Sequence, residues 1–87
     1  KIPSAIGKIS TLELMVLDKN QLQVIPKSVF KLTKLKYLSL QDNKISVVPD
    51  DICLLKDLEL LDLRGNGFKE YDIAILKVLL PRCKILY

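Results

Sequence analysis

The chain has 87 residues, 49% of them hydrophobic and 28% charged, which is room for one domain with a modest core and too apolar for a disordered segment. Fourteen basic against ten acidic residues leave a net charge of +4, with no histidine and only two cysteines. That set lacks the commonest general base and metal ligand, and two cysteines alone do not complete a zinc site.

The chain opens in the middle of a pattern. Pro3, Ile6, Ile9 and Leu12 are matched 23 residues later by Pro26, Val29, Leu32 and Leu35, and again by Pro49, Ile52, Leu55 and Leu58. Such a start is expected of a segment preceded by further repeats. From Leu12 a second motif begins. The first unit reads Leu12, Met15, Leu17, Asn20, Leu22, Ile25, Pro26. The second reads Leu35, Leu38, Leu40, Asn43, Ile45, Val48, Pro49, and the third Leu58, Leu61, Leu63, Asn66, Phe68, Tyr71. The units divide as about 12–34, 35–57 and 58–80, within a single domain spanning 1–87. A fixed period of this length marks a stacked-repeat architecture, in which each unit buries its apolar side against the next.

Within each unit the alternation around LxL predicts a short strand. Met15 and Leu17, Leu38 and Leu40, and Leu61 and Leu63 are expected to point into the core, and neighbouring units to pair as a parallel sheet. Asn20, Asn43 and Asn66 follow the strands, and a column of amides there would satisfy the backbone groups left by each turn. Pro26 and Pro49 remove a backbone donor where each strand has ended and the path turns. The third unit departs from the pattern. Tyr71 and Asp72 replace the aliphatic residue and the proline, and Asp72–Leu80 has helical spacing through Ile73, Leu76 and Leu80, flanked by Ile75 and Leu79. Asp72 is the expected N-cap and Pro81 the stop. Cys83, Ile85 and Tyr87 then alternate inward as a last strand, with Lys84 and Leu86 outward, so that about 72–87 closes the end of the core. Cys53 and Cys83 are expected as buried thiols acting as small apolar side chains, while a disulfide between them is left open.

The motif LxxLxLxxNxLxxIP with IxxLxxL resembles the leucine-rich-repeat family, and its 23-residue form is similar to that of bacterial, plant and Ras-related intracellular repeat proteins. Gly65–Tyr87 resembles the terminal cap of bacterial leucine-rich-repeat proteins such as those of spirochaetes. Vertebrate extracellular repeats fit less well, since their caps carry several cysteines and this one has only Cys83. The resemblance implies an α/β fold: a right-handed solenoid with a short curved parallel sheet on the concave side, irregular or short helical connectors on the convex side, and a helix-strand cap. It also implies a non-enzymatic interaction module whose partner is another protein, with no cofactor, metal or small-molecule substrate.

In such a solenoid the concave sheet face presents many side chains at once. The strand register sets them out in columns: Leu14, Tyr37 and Leu60; Val16, Ser39 and Asp62; Asp18, Gln41 and Arg64; then Lys19, Asp42 and Gly65, and Gln21, Lys44 and Gly67. The first three columns are the candidate partner-binding residues. Contiguous apolar surface at Leu14, Tyr37 and Leu60 suits a docking site, and Tyr and Arg are residue types that concentrate binding energy. The same column equally suits cross-strand packing that only stabilises the sheet.

Catalysis finds little support. Asp18, Asp42 and Asp62 lie in different columns beside Lys19 and Lys44 and are expected to behave as ordinary solvated carboxylates. A cysteine nucleophile would have no histidine to activate it, and Gly65-Asn66-Gly67 is a repeat turn rather than a phosphate loop. Lys27, Lys31, Lys34 and Lys36 form a basic cluster, but the first three fall on a convex connector without aromatic residues interleaved for base stacking, so nucleic acid is disfavoured. No apolar run reaches the roughly 18 residues of a membrane-spanning helix. The remaining alternative is a structural end module of a longer repeat protein, with recognition carried elsewhere.

Overall fold

In the computed structural model, residues 11–87 are described. The repeat positions Pro3, Ile6 and Ile9 lie outside them. Three strands follow the repeat, β1 (Leu14–Val16), β2 (Tyr37–Ser39) and β3 (Leu60–Asp62), and a fourth, β4 (Lys84–Leu86), follows the helix α1 (Glu70–Leu79). They form one parallel sheet in the order β1-β2-β3-β4. Leu14 pairs with Tyr37 and Tyr37 with Leu60, the register demanded by the 23-residue period, whereas Leu60 pairs with Lys84, one residue further along. The backbone bonds repeat with the units: Leu17 N–H donates to Ser39 O at 2.8 Å, Leu40 N–H to Asp62 O at 2.8 Å, and Leu63 N–H to Leu86 O at 2.7 Å.

Met15, Leu17, Leu38, Leu40, Leu61 and Leu63 are all buried, as the alternation predicts, in a single core that also takes in Leu32, Leu35, Ile52, Leu55 and Leu58. Behind the sheet the connectors are short 3-10 turns, Lys27–Lys31 and Asp50–Leu54, opening directly after Pro26 and Pro49. Three residues per turn carry Val29 and Leu32, or Ile52 and Leu55, inward together. The next position along differs between the two connectors: Phe30 is buried in the first, whereas its counterpart Cys53 in the second is exposed rather than buried. Cys83 is half-buried, and both cysteines are free thiols.

The asparagine column is asymmetric. Asn43 is buried. Its Oδ1 accepts from Asn20 N–H at 2.9 Å and Leu22 N–H at 3.0 Å, and its Nδ2 donates to the carbonyls of Leu17, Leu40 and Gln41. Asn66 makes the same kind of link one repeat on, to Ile45 N–H and to the carbonyls of Leu40 and Leu63. Asn20 is exposed, and among the described residues its side chain donates only to Asp18 O. The turn that follows each strand passes through the left-handed region at Lys19 (φ 58°), Asp42 (φ 56°) and Gly65 (φ 82°). Only the third has the residue that enters it without cost. Gly65 is also sterically required, because a Cβ there would collide with Asp42 Oδ1 and stand 2.9 Å from the Asp42 backbone nitrogen.

The cap differs in detail from the sequence expectation. The helix begins at Glu70, so Asp72 lies in its first turn and reaches back to accept a hydrogen bond from Lys69 N–H at 3.0 Å. The N-cap is Lys69, and Asp72 satisfies its backbone donor from the third helical position, as in the acidic half of a capping box. Ile73, Leu76 and Leu80 enter the core and Leu79 packs at its margin, but Ile75 is exposed. Cys83 and Ile85 turn toward the core, whereas Tyr87 does not: its ring lies outside, with Lys77 Nζ 5.8 Å from its centroid.

Candidate functional site

The face of the sheet opposite the core is built from alternate strand residues and the residues just after each strand. β1 contributes Leu14 and Val16, 58% and 53% exposed. Tyr37 and Leu60, beside Leu14 in the first column, are half-buried. In the second column Ser39 and Asp62 are only 1% exposed although they point away from the core. The sequence indicates the direction of these side chains but not what covers them.

What covers them is a chain of hydrogen bonds running across the strands. Asp18 Oδ1 accepts from the Ser39 hydroxyl at 2.6 Å and from Gln41 N–H at 2.7 Å. The Gln41 side-chain amide donates onward to Asp62 Oδ2 at 2.7 Å. Arg64 closes the chain, donating to Asp62 through its backbone N–H at 3.2 Å, Nε at 3.0 Å and Nη2 at 2.7 Å. Ser39 and Asp62 of the second column and the whole of the third therefore act as one polar layer lying over the backbone. Among the described residues no buried side-chain polar atom lacks a partner.

Arg64 holds the Asp62 carboxyl below its ordinary value of 3.8. Its side-chain hydrogen bond is the main cause, its charge and backbone N–H assist, and burial opposes it. The expectation that the face carries ordinary solvated carboxylates fails at Asp62. The reason is local, since a charge-assisted two-pronged contact with a guanidinium favours the ionised form. Reciprocally, Asp62 raises Arg64. A carboxylate fixed in this way is an acceptor and not a proton donor. Asp42 is exposed on the turn and takes no part in the network.

β4 extends the face beyond the repeat. Lys84 stands beside Leu60, and Leu86 beside Asp62. The inward alternation of Cys83 and Ile85 signals that these two side chains face outward. Their place in the columns was hidden by the extra residue before β4, which breaks the 23-residue count.

The basic cluster is divided. Lys27, Lys31 and Lys34 are exposed on the convex connector, while Lys36 Nζ lies 3.9 Å from Glu13 Oε1 in an exposed pair of little energetic weight. Among the described residues no three His, Cys, Asp or Glu side chains gather in a metal-like group, and no helix is long and apolar enough to cross a membrane.

A parallel sheet whose strands recur every 23 residues, backed by 3-10 connectors and bridged by an asparagine column, defines a leucine-rich-repeat solenoid. The chain belongs to the leucine-rich-repeat family, whose signature matches residues 10–68. Among solved structures it is similar to a leucine-rich-repeat protein of Leptospira interrogans, with a TM-score of 0.90 and 32% sequence identity over 99% of the chain. The chain spans 22% of that protein's length. No curated protein sequence matches it. Leucine-rich-repeat domains commonly serve as protein-interaction modules and are typically non-enzymatic; partners differ because surfaces differ on a shared fold.

Proposed function

We propose that the chain is a protein-recognition module whose partner docks on the concave face. In this reading Leu14, Val16, Tyr37 and Leu60 supply the apolar contact, and Asp18, Gln41 and Arg64 the polar rim. Ser39 and Asp62 lie beneath: Ser39 holds Asp18, and Asp62 holds Gln41 and Arg64 in place. The observation that carries the reading is the juxtaposition of two open aliphatic side chains, Leu14 and Val16, with a polar layer already fixed by its own hydrogen bonds. A surface ordered in advance loses less freedom on binding, and apolar area beside it supplies the driving force.

The test is affinity capture from lysates, comparing the unaltered chain with a Leu14→Ser/Val16→Ser variant. Both side chains are exposed, so matching melting curves are expected and loss of capture would report on the surface. A protein retained by the unaltered chain and lost by the variant supports concave docking. Equal retention moves the site elsewhere. Retention of nothing favours the second reading, an end module of a longer solenoid. That alternative draws on the way α1 and β4 close the core, and on the greater length of the Leptospira protein, of which the chain spans 22%.

A further inference from the structure

A cleft of about 230 Å³ opens between the second connector and the cap, lined by Cys53, Lys56, Leu58, Leu79, Leu80, Pro81, Arg82 and Cys83. Both cysteines of the chain therefore face one space, from two different elements: Cys53 from the Asp50–Leu54 turn, Cys83 from the link between α1 and β4. The repeat explains why the space exists. The position equivalent to Cys53 in the preceding connector is Phe30, whose large side chain is buried in the core. Where the pattern next returns, a short thiol stands in its place and the volume is left open.

We propose that Cys53 and Cys83 are a disulfide-forming pair that closes across this cleft and ties the second connector to the cap. The oxidant is a low-molecular-weight disulfide of the glutathione class, and Lys56 and Arg82 at the cleft attract its carboxylates. Cys53, the exposed thiol, reacts first. It loses its proton to solvent, and its sulfur attacks one sulfur of the glutathione disulfide. That S–S bond breaks, one glutathione leaves as thiol, and a mixed disulfide remains on Cys53. Cys83 then loses its proton, attacks the Cys53 sulfur and displaces the second glutathione as thiol. Two protein thiols are oxidised and one glutathione disulfide is reduced to two thiols. The order follows from access and from the state of Cys83. Burial pushes the Cys83 thiol up to about 11, and its Sγ lies 3.5 Å from Lys84 O, positioned to donate to it, so it is the slower nucleophile and acts as the resolving group. The ring so closed takes in β3, the Asn66 turn and α1. Oxidation thus fastens the cap onto the last repeat without touching the concave face, and it is independent of whether a partner docks there.

The test treats the full chain with oxidised glutathione and maps its disulfides by mass spectrometry without reduction. The expected result is a monomer with both thiols lost and the Cys53 and Cys83 peptides joined. Its melting temperature should rise by roughly 10 °C or more, because the crosslink restricts the unfolded chain, and reductant should reverse the rise. A Cys83→Ser chain should stop at glutathione on Cys53. Disulfide-linked dimers, or glutathione on Cys53 with Cys83 still reduced in the unaltered chain, would overturn the proposal.

Discussion

At β1 the outward side chains are open to water, whereas at β2 and β3 the residues in the same column as Val16 are covered. The backbone is the same, three-residue strands in one parallel register. Among the described residues β1 has a paired neighbour on one side only, whereas β2 and β3 are flanked on both, and the outward side chains also differ in bonding capacity. Leu14 and Val16 make no directional contact across the sheet, so nothing is drawn over them. Ser39 and Asp62 recruit Asp18, Gln41 and Arg64, and the recruited groups cover them. An outward direction thus yields two kinds of surface: an apolar patch available for contact, and a polar layer that is already spent in holding itself together.

The largest effect that sharpens this contrast sets the two faces of one sheet against each other. Leu40→Ala removes a side chain with no exposed area from the core and should cost about 2–5 kcal/mol. Leu14→Ala, the same chemical change on the open face, should stay within about 0.5 kcal/mol. Denaturant titration of both variants measures the gap, and similar losses would mean that the in-and-out register is wrong.

A smaller effect separates the ends of the asparagine column. Asn43→Ala removes the acceptor of two backbone N–H groups, Asn20 and Leu22, and a donor to the Leu17 carbonyl, and should cost about 1–3 kcal/mol. Asn20→Ala, at an exposed position, should cost clearly less. Thermal melts of the pair decide it; equal shifts would show that the amide column does not depend on burial.

The smallest effect is one of slope. Asp62 has a depressed folded value, so it stabilises the fold above its unfolded value and loses that contribution as pH falls through the lower folded one. The stability difference between the unaltered chain and Asp62→Asn should be level near neutrality and shrink below about pH 4. A difference that stays constant into strong acid would break the assignment of Arg64 as the group that holds Asp62 ionised.

Some of the candidate site was legible in advance. The columns Leu14–Tyr37–Leu60 and Val16–Ser39–Asp62 are direct consequences of a 23-residue period and a two-residue strand alternation, and both appear as pairing partners. Local geometry, by contrast, displaced several details. The helix starts at Glu70 because the Asp72 carboxylate caps the chain from within the first turn. Cys53 is exposed although Phe30, its counterpart one repeat earlier in a turn of the same kind, is buried. Tyr87 stays outside the core, its ring beneath the Lys77 ammonium.

The sequence by itself determined what periodicity can carry: the solenoid, its strand register, the identity of the core leucines and the place of the asparagine column. Each is a nearest-neighbour property that every repeat states again, so three copies of the pattern leave no second solution. Only the tertiary structure decided which outward residues meet water. Accessibility depends on side chains brought together from different repeats, as when Asp18 accepts from Ser39 and Asp62 from the Gln41 amide, and no local pattern encodes those bonds.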